Sequence, residues 1–285
     1  MGELLIGTSG YDYPDWKGGF YPDKLARAGF LEYYSEHFNS LELNGTYYRM
    51  PTPDQMRKMI ERSGGRVRFT VKAFQELTHA SDVNSYTDVY SYTDVYGDKS
   101  KYQILIYEFK KALEPLIAGN LLVCALFQFP ESFHYEKTER LYLDALLKEL
   151  GDVPVVVEMR NSGWQNDQVY NALRQRNTGW CITDNPNLKN LMKLDYVCTS
   201  DIAYMRFHGR NSDMWYKGDN VSRYDYMYSD TELQSFVNPI LELLKHTKIV
   251  QLFFNNHAKS QAVVNAKKIE MLLKEIQDSR NSIYP

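Results

Sequence analysis

The sequence predicts an α/β fold, a single (β/α)8 TIM-barrel-like domain over residues 1–285, and three observations carry that expectation. Eight short apolar or alternating runs recur along the chain, helical patterns lie between them, and no Pro/Gly/Ser-rich linker interrupts the rhythm. Strand and helix alternating in this way, in a chain somewhat above the barrel norm of about 250 residues, fit one barrel better than two domains. A doubly wound open sheet competes, but neither Gly-x-Gly-x-x-Gly nor a phosphate loop ending in Gly-Lys-Ser/Thr occurs.

The strands are expected at 4–7, 40–44, 68–73, 121–129, 153–160, 179–184, 203–209 and 248–256. Thr52, Pro53 and Gln55 offer an N-cap, a first-turn proline and a capping box before Met56, Met59 and Ile60, and Gly64 supplies the stop. Further helices are expected at 30–38, 104–117, 138–150, 166–176, 230–246 and 260–276, with a weaker one at 188–194. After the third strand, residues 75–101 break the pattern. They contain a tandem hexamer, Ser85-Tyr-Thr-Asp-Val-Tyr90 and Ser91-Tyr-Thr-Asp-Val-Tyr96, which reads as a loop insertion and a candidate lid.

Composition excludes several classes. With 44% apolar, 24% charged and 14% aromatic residues the chain is a folded soluble globule, not collagen, coiled coil or disorder. Lys plus Arg number 33 against 36 Asp plus Glu, a formal charge of -3, so nucleic-acid binding would need a local basic site. Cys124, Cys181 and Cys198 show no Cys-x-x-Cys spacing and read as buried reduced thiols. The N-terminus has neither the basic residue of a signal peptide nor a myristoylation signal, and the longest apolar run, 121–127, is far below the roughly 18 residues of a membrane span. The expectation is a cytoplasmic protein without membrane partners.

Strand parity predicts an unusually polar barrel interior. Glu42, Asn44 and Thr46 share one face of the second strand; Thr70 and Lys72 follow from the third, Gln128 from the fourth, Glu158 and Arg160 from the fifth, and Asp184 from the sixth. The seventh gives Arg206 and His208, the eighth Gln251 and Asn255. Most of these lie near strand C-terminal ends, where barrel enzymes build active sites. Unmatched burial costs about 1–3 kcal/mol per polar group, so function is favoured over stability as their purpose. The same residues could instead form a self-satisfied ion network, such as Glu42–Lys72 and Glu158–Arg206, with no room for a ligand.

The candidate catalytic groups are Glu158, His208, Glu42 and Asp184. Lys72, Arg160 and Arg206 would hold an anion, because Arg clamps phosphate or carboxylate and Lys adds a point charge. Asn44, Gln128, Asn255 and Asn256 complete the expected binding set. After the eighth strand, Ser260 caps a helix whose N-terminus could also face an anion. Trp16 and Trp164, with Tyr11, Tyr13, Trp215 and Tyr216, are placed at the rim, where aromatics could stack on bases or sugars. Glu42, Glu158, Asp184 and His208 are also potential ligands of a divalent metal, although neighbouring cations compete and no His-Glu-x-x-His motif occurs, so no cofactor is predicted.

The sequence resembles the YecE-like family, catalogued as domain of unknown function 72, nearly end to end. The resemblance rests on Gly7-Thr-Ser-Gly10 with Trp16 and Phe20-Tyr-Pro22, on Glu42-Leu-Asn44 with Thr46-Tyr-Tyr48, and on Lys72. It continues through Gln128-Phe-Pro130, Glu158-Met-Arg160 with Trp164, Arg206-Phe-His-Gly209, and Phe254-Asn-Asn256 with Asn265-Ala266. Tyr11 stands where the family usually has Trp, Asn161 where it often has His, and Ser260 where Gly is common. The resemblance implies a TIM-barrel-like fold and no settled activity. By fold analogy with xylose isomerase and endonuclease IV-like barrels, phosphodiester or nucleic-acid chemistry is a further expectation.

From these residues the leading expectation is an enzyme using Glu158 and His208 for acid/base catalysis on a small anionic, phosphorylated substrate. A metal-dependent phosphodiester hydrolase and a non-catalytic module for single-stranded nucleic acid are the alternatives.

Overall fold

The computed structural model describes residues 1–79, 101–219 and 221–283. Residues 80–100, with the tandem hexamer and most of the candidate lid, lie outside the described residues. Among those described, the first half of the chain contains β1 (Glu3–Thr8), α1 (Phe30–Ser35), β2 (Ser40–Leu43), α2 (Pro53–Arg62), β3 (Arg68–Lys72), α3 (Lys101–Ala118) and β4 (Leu122–Gln128). The second contains α4 (Lys137–Leu150), β5 (Val155–Glu158), α5 (Asp167–Gln175), β6 (Gly179–Asp184), β7 (Ile202–Phe207), α6 (Asp230–His246), β8 (Ile249–Phe254) and α7 (Gln261–Ile283). The strands pair in the order β1-β8-β7-β6-β5-β4-β3-β2, all parallel, and β1 meets β2 to close a (β/α)8 barrel.

The closing seam depends on side chains. Among the described residues only Ser9 and Glu42 bridge β1 to β2, with the Gly10 N–H donating to the Glu42 carbonyl at 2.9 Å. Deeper in the seam, the Ile6 N–H donates to Asn39 Oδ1 at 2.8 Å, and the Thr8 N–H to the Tyr34 hydroxyl at 2.8 Å. That hydroxyl donates onward to the Ser40 carbonyl at 2.9 Å. Gly7 is required here because a Cβ at this position would sit 2.0 Å from the Ser40 carbonyl oxygen.

Alternation sorts the core. Outward residues such as Phe69, Phe127, Val157, Ile182 and Phe254 pack beneath the helices, while Cys124, Leu126, Val156, Cys181, Tyr204 and Phe253 form a separate cluster inside the barrel. The capping box of α2 forms as the sequence predicts, with Thr52 Oγ1 accepting from the Gln55 N–H at 3.2 Å and Gln55 Oε1 from the Thr52 N–H at 3.0 Å.

Two local expectations change. The segment 188–194 is not helical, because side chains from neighbouring segments take its backbone groups. Gln165 bonds both the N–H and the carbonyl of Lys193, at 3.0 and 2.9 Å, and Asn185 donates to the Met192 carbonyl at 3.2 Å. Ser260 does not cap α7: its hydroxyl is buried without a partner among the described residues. Lys259 and Ser260 adopt φ of 54° and 62°, the left-handed region that favours glycine. This gives a physical reason for glycine at position 260.

The substitution Ser260→Gly is expected to stabilise the protein by about 1 kcal/mol, read as a higher urea midpoint at unchanged slope. An unchanged or lower midpoint would contradict the strain.

Candidate active site at the barrel mouth

A fully buried arginine organises the mouth. β7 turns Tyr204, Arg206 and the following His208 inward, and the Arg206 guanidinium spans from β2 to β5. Its Nη2 donates to Glu42 Oε1 at 2.8 Å and its Nη1 to Glu158 Oε2 at 2.5 Å. All three side chains are at most 1% exposed. The Tyr204 hydroxyl satisfies the second Glu42 oxygen at 2.5 Å. Burial alone would raise the Glu158 carboxyl, but Arg206 and then His208 hold it well below the usual carboxylate range.

Glu158 also orders its neighbours. Its Oε1 accepts from Gln128 Nε2 at 2.5 Å, which turns the Gln128 carbonyl oxygen towards Lys72 Nζ at 2.6 Å. Lys72 also lies over the Tyr47 ring, 4.4 Å from its centroid, and makes no ion pair among the described residues. Burial, reinforced by the charges of Arg206 and Arg160, pushes its amine down to about 7.

His208 Nε2 stands 3.2 Å from Glu158 Oε1, and the Asn255 amide nitrogen 3.0 Å from Nδ1. With Asn255 donating, Nδ1 is the acceptor and the proton sits on Nε2, directed at the carboxylate. Burial lowers the imidazole from its ordinary value, against the opposing pull of Glu158. Arg160, partly buried, reaches the Tyr224 hydroxyl at 3.2 Å and lies 3.7 Å from Glu158 Oε1. Beside Glu42 a cleft of about 510 Å³ is lined by Tyr11, Tyr13, Asn44, Tyr48 and Met56; Asn44 Oδ1 is buried and unpaired among the described residues.

Several expected positions differ. Asp184 shares the outward parity of Trp180 and Ile182, and the inward residues of β6 are Cys181 and Thr183. Its carboxylate is held by Arg210, with Nη2 at 2.6 Å and Nε at 3.0 Å, and by the Tyr228 hydroxyl at 2.5 Å. That hydroxyl accepts from the Gly209 N–H at 2.9 Å, and the Asp184 carbonyl from the His208 N–H at 2.8 Å. Asp184 therefore anchors the strand end that carries His208 from behind.

Asn256 is also turned outward, its amide donating to the Tyr226 carbonyl and to Asn265 Oδ1, both at 2.8 Å. Trp16 and Trp164 are buried with their indole N–H groups on the His257 and Phe133 carbonyls, both at 2.7 Å, so they offer no stacking face at the rim. Trp215 is buried too. The Glu42–Lys72 pair does not form, because Arg206 and Tyr204 occupy Glu42. With Asp184 on the far face, Glu42, Glu158, Asp184 and His208 do not converge; among the described residues no group of three or more His, Cys, Asp or Glu is placed to hold a metal.

Sequence reasoning missed Tyr204, Tyr224, Tyr47 and Tyr228. Strand parity could have found Tyr204, two residues before Arg206. Tyr224 and Tyr228 come from the segment after β7, where no period relates them to the strands.

A closed parallel barrel with an ion cluster at the C-terminal ends of its strands is the class this geometry defines. The chain matches the model for the protein of unknown function DUF72 over residues 5–283 and belongs to that family. It is 29% identical to the UPF0759 protein YunF of Bacillus subtilis (strain 168), covering 95% of this chain and 94% of that one. A DUF72 family protein from Thermotoga maritima MSB8 superposes with a TM-score of 0.84 at 32% identity, covering 95% of this chain and 99% of the other. A DUF72 family protein from Enterococcus faecalis V583 shares the fold at 22% identity and a TM-score of 0.80, over 95% of each chain. No helix among the described residues is long and apolar enough to cross a membrane.

Arg206→Met is expected to destabilise the protein by about 3–5 kcal/mol, since it leaves two buried carboxylates uncompensated, and adding Glu42→Gln and Glu158→Gln should restore much of that loss. Urea unfolding of both variants measures this; a single substitution that costs under about 1 kcal/mol would contradict it.

Proposed function

We propose that this protein is an enzyme acting on a small anionic, phosphorylated substrate, with His208 and Glu158 moving the proton and Arg160 and Lys72 holding the anion. The charge balance of the cluster carries the reading. Glu42 and Glu158 oppose Arg206, Arg160 and Lys72, so with Lys72 protonated one positive charge is left over in a partly desolvated mouth. Arg206 spends both terminal nitrogens on the two acids and its Nε is buried, which leaves Arg160 and Lys72, both partly exposed, to meet an anion. An anion there would relieve the mutual repulsion of the three cations.

His208 is the proton carrier in this reading. Its Nε2–H points at Glu158, so when the Asn255 amide gives way, a proton taken at Nδ1 produces an imidazolium stabilised by the carboxylate. Gln128 and Asn255 orient the two sides of the mouth, Lys72 and His208 respectively. Glu42 and Asp184 are positioning residues, Glu42 through Arg206 and Asp184 through the His208–Gly209 backbone.

Calorimetric titration with inorganic phosphate tests the anion site. Arg160→Met and Lys72→Met are each expected to weaken binding at least tenfold, about 1.4 kcal/mol. Sulfate, whose charge is fixed, should bind at pH 8 with proton uptake, because an anion favours the protonated form of an amine that is mostly neutral there. Equal affinity in wild type and both variants, with no proton uptake, would contradict the site.

A further inference from the structure

We propose that Lys72 is a nucleophile whose Nζ forms an imine with the carbonyl carbon of a small aldehyde or ketone bearing a phosphate or carboxylate group. The proposal rests on the anion-holding mouth described above and names the substrate class of that same site.

Three observations place a reactive amine there. Lys72 ends β3 at the C-terminal end of the strand and is only half-buried. Both carboxylates that could have paired with it are turned to Arg206, and Gln128, locked by Glu158, presents a neutral carbonyl oxygen instead. One N–H donated to Gln128 leaves the nitrogen lone pair of a neutral amine uncommitted. A lysine desolvated beside other cations is the arrangement that activates this side chain for carbonyl chemistry. Burial and the charges of Arg206 and Arg160 push this amine down to about 7, so far more of it is unprotonated at neutral pH than of an ordinary lysine.

The step balances without an external oxidant or reductant. The Nζ lone pair forms the N–C bond, the carbonyl π pair moves to oxygen, the nitrogen gives up a proton and the oxygen gains one. The oxygen takes a second proton and leaves as water, while the nitrogen gives up its other proton to close the C=N bond. The sum is amine plus carbonyl giving imine plus water. His208, joined to Lys72 through Glu158 and Gln128 at the same mouth, is the group assigned to take and return those protons.

Reductive trapping on the unmodified protein tests the proposal. Glyoxylate or glycolaldehyde phosphate is added at pH 7 with cyanoborohydride, which delivers hydride to the imine carbon, and the stable secondary amine is located by peptide mass spectrometry. Lys72 is expected to be labelled at least tenfold faster than any other lysine, with inorganic phosphate slowing it. Labelling of Lys72 no faster than surface lysines, while phosphate still binds, overturns the imine and leaves the anion site standing. Fast labelling of Lys72 that phosphate neither slows nor competes with supports the amine chemistry and overturns the anion reading.

Discussion

The guanidinium of Arg206, buried between Glu42 and Glu158, is the interaction on which the mouth of this barrel depends. It joins β7 to β2 and β5 across the interior, and Glu42 lies at the seam where β1 and β2 share only one bridge. Removing three ionised groups from water is expensive, and mutual attraction repays the cost only when hydrogen bonds satisfy the remaining atoms. Tyr204 on Glu42, and Gln128 and His208 on Glu158, do this for the carboxylates, while Arg206 Nε is left without a partner among the described residues. A hydrophobic core of the same volume would do as well for stability, which directs attention to what the ion cluster does to its surroundings.

Its main effect is to leave Lys72 without a carboxylate. Lys72 is held instead by a neutral amide and an aromatic face, and its proton is loosened by burial and by repulsion from Arg206 and Arg160. On the other side of Glu158, His208 is kept neutral by burial with its tautomer fixed by Asn255. An amine pushed down to about 7 and an imidazole lowered by burial thus flank one carboxylate held well below its usual range. The outer face of the sheet supports this arrangement: Asp184, Arg210 and Tyr228 grip the backbone at His208 and Gly209, whose φ of 84° only glycine adopts readily.

Much of this was legible in the sequence where a strict period governs. Period-2 alternation correctly turned Glu42, Lys72, Gln128, Glu158, Arg206 and His208 inward, and the helix boundaries of α2 and α6 were written in their caps and periodicity. Asp184 escaped because a short run of mixed residues, Cys181 to Asp184, gives no hydrophobic contrast between its faces, and both are buried. Trp16 and Trp164 were placed by chain position alone, and position cannot say whether an indole N–H meets a backbone carbonyl or a ligand. Partner choice was equally hidden: residue types allowed Glu42–Lys72, and only the reach of Arg206 decided against it. The segment 188–194 failed as a helix for the related reason that its backbone groups are claimed from outside, by Gln165 and Asn185.

The measurement closest to the centre of this account is the titration of Lys72 itself, followed by NMR in protein carrying isotope-labelled lysine, with its signal assigned by Lys72→Arg. A midpoint near neutrality, about 7, is the predicted result. A Lys72 signal that stays charged up to the ordinary lysine range of about 10.4 would contradict the account, since it would mean that Arg206 does not strip the amine of its counter-charge.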